Sequence, residues 1–222
     1  LMWTDEFDGA ALDTSKWSYD IGYGPNPYAR GWGNSELQWY SDSPENISVS
    51  GGSLNITLKK HADGIPPSIA YTAPGVTDPN PSYTSARIHT QDKVAFKYGI
   101  VTARMKLPKG NGLWPAFWML GNKYMGYYET RPAGVEPWPV CGEIDIMEMP
   151  GKTPNVITGA LHFDGKWPDN HFLGGSDAKD LGTPYTLPSG AFDDGFHTFS
   201  VKWEEGSVKW YVDDQLFQVI AA

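Results

Sequence analysis

The sequence predicts an all-β fold, a sandwich or barrel of short antiparallel strands. Three observations carry that prediction. Gly and Pro recur every few residues along the 222-residue chain, and short alternating runs sit between them. No segment sustains the 3.6-residue apolar period of an amphipathic helix. The length suits one large β domain over residues 1–222, with no internal repeat and no linker.

Composition bounds the function. Ten Trp and twelve Tyr give an excess of flat rings, useful for stacking on sugars as well as for filling a core. The net charge of −9 argues against nucleic acid and against an anionic membrane surface as partners. Cys141 is the only cysteine, so no internal disulfide forms. No apolar run approaches the length of a membrane-spanning helix. The opening Leu1–Glu6 run is not a signal peptide, so a secreted protein is expected to have lost one ahead of this point.

Taken in order, residues 1–20 read as an edge strand and a turn. Residues 22–33 form a Gly/Pro/Tyr-rich loop ending at Asn34, which suits either a hydroxyl contact or a turn. Ile47 and Val49 alternate, Gly51-Gly52 turns, and Leu54, Ile56 and Leu58 alternate back as a hairpin. Residues 61–82 read as a surface excursion, and Tyr83–Thr90 as a strand carrying Arg87. That arginine suits a sugar hydroxyl, a carboxylate, or plain solvent exposure. Tyr98–Leu107 is a long strand. Next, Trp114, Ala116 and Trp118 share one strand face, as a stacking platform or as core. Residues 121–140 form an insertion ending near Trp138. Val156–Phe163 can pair antiparallel with the segment before it and carries His162. Residues 164–195 read as irregular. Phe196–Trp203, Val208–Val212 and Leu216–Ile220 close the chain as three strands. Asn46-Ile47-Ser48 and Asn55-Ile56-Thr57 match N-glycosylation sequons.

The stretch with the most chemistry is Cys141-Gly142-Glu143-Ile144-Asp145-Ile146-Met147-Glu148-Met149. A regular strand puts Glu143 and Asp145 on one face and Glu148 on the other. One extra residue near Ile146 or Met147, a β-bulge, returns Glu148 to the face of the other two acids. Like charges so close raise a pKa and cost stability. Retaining glycoside hydrolysis uses such a pair, one ionised and one protonated, roughly 5–5.5 Å apart. A solvated acidic edge strand would show the same residues. A metal site lacks a His/Cys ligand set beyond Cys141.

Five motifs in register resemble one family: Trp3-Thr4-Asp5-Glu6-Phe7, Gly31-Trp32-Gly33-Asn34-Ser35-Glu36-Leu37-Gln38, Thr84-Ser85-Ala86-Arg87, Gly112–Leu120 and Gly142–Met149. They are similar to the laminarinases, endo-β-1,3-glucanases of glycoside hydrolase family 16, over essentially the whole chain. The resemblance implies a β-jelly-roll sandwich of two antiparallel sheets with an open substrate cleft. It implies Glu143 as nucleophile, Glu148 as general acid/base and Asp145 between them as electrostatic aid. Asn34, Arg87, Trp114, Trp118 and Trp138 match positions lining the glycone side, and His162 a cleft histidine. Met147 belongs to the longer, bulged form of the acidic motif, shared by laminarinases, agarases and carrageenases; lichenases resemble a form one residue shorter.

The same resemblance implies a secreted, extracellular protein with β-glucan as its partner and no catalytic cofactor. Glu6 and the Gly51/Gly52 turn resemble two donors of a structural Ca²⁺ site. Family members continue well past a run like Trp210–Asp214, so a separate polypeptide supplying the C-terminal strands, or a processed chain, is expected. The insertion at Lys123–Trp138 is expected to shape product size. The alternatives are a mixed-linkage β-1,3-1,4-glucanase, a hydrolase of another polysaccharide such as agar, and a non-catalytic β-glucan-binding module or inactive fragment.

Overall fold

A computed structural model describes residues 2–24, 30–66, 82–122, 138–165 and 171–221. Two compact units divide the chain, Leu1–Ala95 and Phe96–Ala222. The expected insertion and most of the 61–82 excursion lie outside the described residues, Trp138 excepted.

The first unit holds β1 (Ser18–Asp20), β2 (Gln38–Tyr40), β3 (Ile47–Ser50), β4 (Ser53–Ile56), β5 (Lys59–Lys60), β6 (Tyr83–Ser85) and β7 (Arg87–His89). The β3–β4 hairpin forms as expected. Gly51 and Gly52 take φ of 59° and 70°, the left-handed pair that a two-residue turn needs. Ile47 and Val49 point inward beside Leu12 and Ala86, with Phe7, Trp17 and Leu54 packed around them. The strand ends at Ile56, leaving Leu58 exposed.

One expectation fails in this unit. No strand precedes Ser18 among the described residues. Side chains anchor this segment instead: Asp5 accepts from the Trp17 indole at 2.8 Å and from Phe7 N at 3.0 Å, and Trp3 meets Trp17 edge-on. Asn46 is no glycan acceptor in the folded chain. It is wholly buried, its amide donates to Thr57 O and Thr84 Oγ1 at 2.9 Å, and its oxygen accepts from Ser41 at 2.7 Å. A buried amide satisfied this fully is structural.

The second unit holds β8 (Gly99–Met105), β9 (Ala116–Leu120), β10 (Glu143–Glu148), β11 (Val156–Phe163), β12 (His171–Gly174), β13 (Tyr185–Thr186), β14 (His197–Glu204), β15 (Ser207–Val212) and β16 (Gln215–Ala221). They make the expected two-sheet sandwich. One sheet has the order β12-β11-β10-β9, with β13 pairing β11, and the other β16-β15-β14-β8. Each pairing within these sheets is antiparallel. Ile146, Met147, Met149 and Ile157 from the first sheet meet Phe199, Val201, Trp210 and Val212 from the second, all at 1% exposure or less. Such dry packing is the main stabilising term of the unit.

β12 and β13 correct the irregular reading of residues 164–195. His171-Phe172-Leu173-Gly174 has too little alternation to announce a strand. It pairs because β11 offers it an edge, with Leu173 against Leu161 and Phe172 against His162.

Candidate active site

β10 is the centre of its sheet, and its register shows the expected bulge. Against β9, Asp145 pairs with Trp118 but Met147 with Phe117 and Glu148 with Ala116. Against β11, Asp145 pairs with Ala160 and Glu148 with Thr158. Two residues, Ile146 and Met147, thus occupy the place of one, and both side chains go to the core. Residues directly paired across an antiparallel ladder project to the same face. Glu143, Asp145 and Glu148 therefore share one face with Leu120, Trp118 and Ala116 of β9 and with His162, Ala160 and Thr158 of β11. Phe117 and Met119 face the core.

Each carboxyl has a specific neighbour. The Trp138 indole N–H donates to Glu143 Oε2. His162 Nε2 lies 3.1 Å from Asp145 Oδ2, and Asp145 keeps 4% exposure. The Trp114 indole donates to the Glu148 carboxyl. A side-chain hydrogen bond joins Asp145 and Glu143, and both carboxyls are raised, so the pair shares a proton.

Burial is the first cause of the electrostatics here. It pushes the Glu143 carboxyl up to about 8, aided by the Asp145 charge, while the Trp138 bond pulls it back in part. Asp145 is raised by burial and by the Glu148 charge. Glu148 is raised by burial, with His162 opposing it and Glu143 adding to it. Two groups that share a proton titrate as a pair. The arrangement holds protons at a pH where isolated carboxyls have lost them, which suits one acid and one base side by side.

This raises a stability cost with a definite sign. Glu143 and Asp145 bind protons more tightly folded than unfolded, where their values are 4.5 and 3.8. Their contribution is whole below the unfolded values and is lost as pH rises toward 8. Glu143→Gln removes the titration. Its Tm advantage over wild type is expected to grow between pH 5 and pH 8, by about 2–4 °C or more, and to level off above. Melting curves at pH 5, 7 and 9 check this, and an advantage independent of pH would refute it.

The other expected site residues fall as follows. Trp118 lies on β9 opposite Asp145, on the acid face. Trp114 precedes β9 instead of belonging to it, because Pro115 intervenes, and its ring is 52% exposed. A hollow of about 420 Å³ beside it is lined by Asn111, Leu113, Pro150 and Lys152. His162 touches Asp145 directly. Phe172, missed at the sequence level, stacks on His162 at 5.7 Å, and Trp138 meets the same imidazole at a tilt, 5.5 Å between ring centres. Phe172 is 39% exposed, an apolar ring beside the acids.

In the first unit, Asn34 is exposed and donates to Glu36 at 3.3 Å. Arg87 is more than a surface arginine: its Nε meets Asp20 Oδ2 at 2.8 Å and its guanidinium lies 4.7 Å over the Trp32 ring. Glu6 is exposed and accepts from Thr4 at 2.6 Å, while Gly51 occupies the hairpin turn. Among the described residues no group of three or more His, Cys, Asp or Glu side chains is placed to hold a metal.

Comparison with known proteins agrees with this geometry. The chain is 42% identical over 222 residues to glucan endo-1,3-beta-glucosidase A1 of Niallia circulans, covering 98% of this chain and 29% of that protein. It is 36% identical to a beta-glucanase of Rhodothermus marinus, covering 98% of this chain and 64% of the relative. It thus spans less than two thirds of either. Among solved structures, the laminarinase catalytic domain of Thermotoga maritima matches all of this chain and 76% of its own, with a TM-score of 0.74 and 37% identity. Residues 33–222 match the family described as glycosyl hydrolases family 16. With the bulged acid strand, its aromatic surroundings and these matches, the chain belongs to glycosyl hydrolases family 16.

Proposed function

We propose that this chain is an endo-acting, retaining hydrolase of β-1,3-glucan of the laminarin type. The observation that carries the reading is the β10 bulge, which puts Glu143 and Glu148 on one face with Asp145 between them. A non-catalytic binding surface has no use for three close acids whose desolvation and mutual repulsion cost stability. The relatives, a glucan endo-1,3-beta-glucosidase and a beta-glucanase, support the substrate class.

The chemistry follows from the protons. With the shared proton on Asp145, Glu143 is a carboxylate, steadied by the Trp138 N–H. Glu143 attacks the anomeric carbon, the glycosidic C–O bond breaks, and Glu148 gives its proton to the leaving oxygen. Glu148, now ionised, takes a proton from water as that water's oxygen attacks the same carbon. Glu143 leaves with its electron pair, and two inversions give net retention. The exposed rings of Trp114 and Phe172 offer faces for sugar stacking.

The direct test is hydrolysis of laminarin and of lichenan, with reducing ends and product sizes followed. Laminarin cleavage to a ladder of oligosaccharides is expected, with lichenan slower. Faster lichenan cleavage would favour the mixed-linkage reading, and no cleavage of either would overturn the assignment. A polymer of this size cannot enter cells, so secretion belongs to the same proposal.

A structural Ca²⁺ held with help from Glu6 and Gly51 is a separate part of it. Both offer hard oxygen donors of the kind that ion prefers. Chelation is expected to lower Tm and Ca²⁺ to restore it; an unchanged Tm would remove the ion from the proposal.

A further inference from the structure

The bulge in β10 is held from beneath by the facing sheet. Trp210 sits in β15 with no exposed surface, and its indole N–H donates to the main-chain carbonyl of Asp145 at 2.7 Å. Carbonyls of a regular ladder lie near the plane of the sheet and serve the neighbouring strands. This one is reached by a side chain from the opposite sheet, and it stands immediately before the two bulge residues, Ile146 and Met147.

The space for the indole is made on β11. A Cβ at Gly159 would lie 2.4 Å from Trp210 Cδ1 and Nε1 and 3.1 Å from Asp145 O. Glycine at 159 is therefore what lets the ring reach under the acid strand. β15 is itself irregular at this point, its register against β16 shifting between Trp210 and Tyr211. Gln218, paired with Trp210, donates to Gly159 O at 3.0 Å. The facing sheet thus grips β10 and β11 side by side, under the middle of the acid row.

A bulge decides which face every later residue of a strand presents. In β10 it decides where Glu148 stands relative to Glu143. We propose that Trp210 is a positioning residue for the site: its indole N–H pins the Asp145 carbonyl and so fixes the placement of Glu148 beside Glu143. It touches neither carboxyl and acts through the backbone. The inference rests on the reading of Glu143 and Glu148 as the reacting pair.

Trp210→Phe keeps an aromatic ring and removes the N–H. The folded variant is expected to show a KM on laminarin within about twofold of wild type and a kcat lower by roughly 10- to 100-fold, the scale of a misplaced catalytic group. Its Glu143, Asp145 and Glu148 carboxyls, followed by ¹³C NMR titration, are expected to move toward the ordinary carboxylate range. Trp203→Phe, on β14 opposite Val208 and packed edge-on against Tyr98, is expected to match wild type in both. If Trp210→Phe does not fold, benzothienylalanine at 210 keeps the shape of the indole and replaces its N–H with sulfur. A folded 210 variant with wild-type kcat and wild-type carboxyl titration would overturn the proposal. The titration needs no turnover, so a wild-type chain inactive on laminarin would count against the glucanase reading while the positioning role is still read from the NMR.

Discussion

Glu143→Gln is expected to abolish laminarin hydrolysis, lowering kcat on the order of 10⁴-fold or more while the fold persists. The amide is nearly isosteric but cannot form the glycosyl ester. Glu148→Gln should fall as far on laminarin for a different reason, the loss of a proton for a poor leaving oxygen. The two are told apart with an aryl β-glucoside whose phenolate leaves unaided. Glu148→Gln should still glycosylate on that substrate and accumulate the covalent intermediate, visible by mass spectrometry, and azide should restore turnover with retained configuration. Glu143→Gln should form no such adduct. Wild-type turnover by either variant on laminarin would remove that residue from the mechanism.

Gly121→Ala is expected to cost about 1–3 kcal/mol or more of stability, a fall in Tm of roughly 5 °C. Gly121 ends β9, and its N–H donates to Gly142 O at 2.8 Å. A Cβ there would lie 1.8 Å from Cys141 O and 2.8 Å from Cys141 C. Those atoms are backbone, so no rotamer change relieves the clash. The turn from Trp138 to Gly142 would have to move, and with it the indole that donates to Glu143. Activity should therefore drop more steeply than the melting shift alone explains, at a temperature where the variant is fully folded. An unchanged Tm would show that the turn yields without strain.

Much of the site was legible in the sequence because it rests on local periodicity. A strand alternates, Glu148 falls out of phase with Glu143 and Asp145, and one inserted residue restores it; the register of β10 against both neighbours shows that insertion at Ile146 and Met147. The Gly51-Gly52 turn and the strands around Trp203 and Trp210 were readable on the same ground, as was the strand that carries His162; periodicity left Trp118 between core and stacking platform, and only the family resemblance pointed it to the cleft. What failed lacked such a signal. Residues 1–20 read as an edge strand and a turn, but among the described residues only Ser18–Asp20 is strand there, and Asp5 and Trp17 anchor the segment before it. β12 has four residues and no clean alternation, so only the edge of β11 makes it a strand and brings Phe172 to His162.

The sequence by itself determined the strand class, the acid row and the bulge, because those depend on spacing within a few residues. Tertiary structure alone decided which partners the acids meet and at what proton affinity. Trp210 and the Asp145 carbonyl are 65 residues apart, and Asn46 and Thr84 are 38 apart. Hydrogen bonds and desolvation act over a few ångströms in space whatever the separation along the chain, so no local pattern announces them.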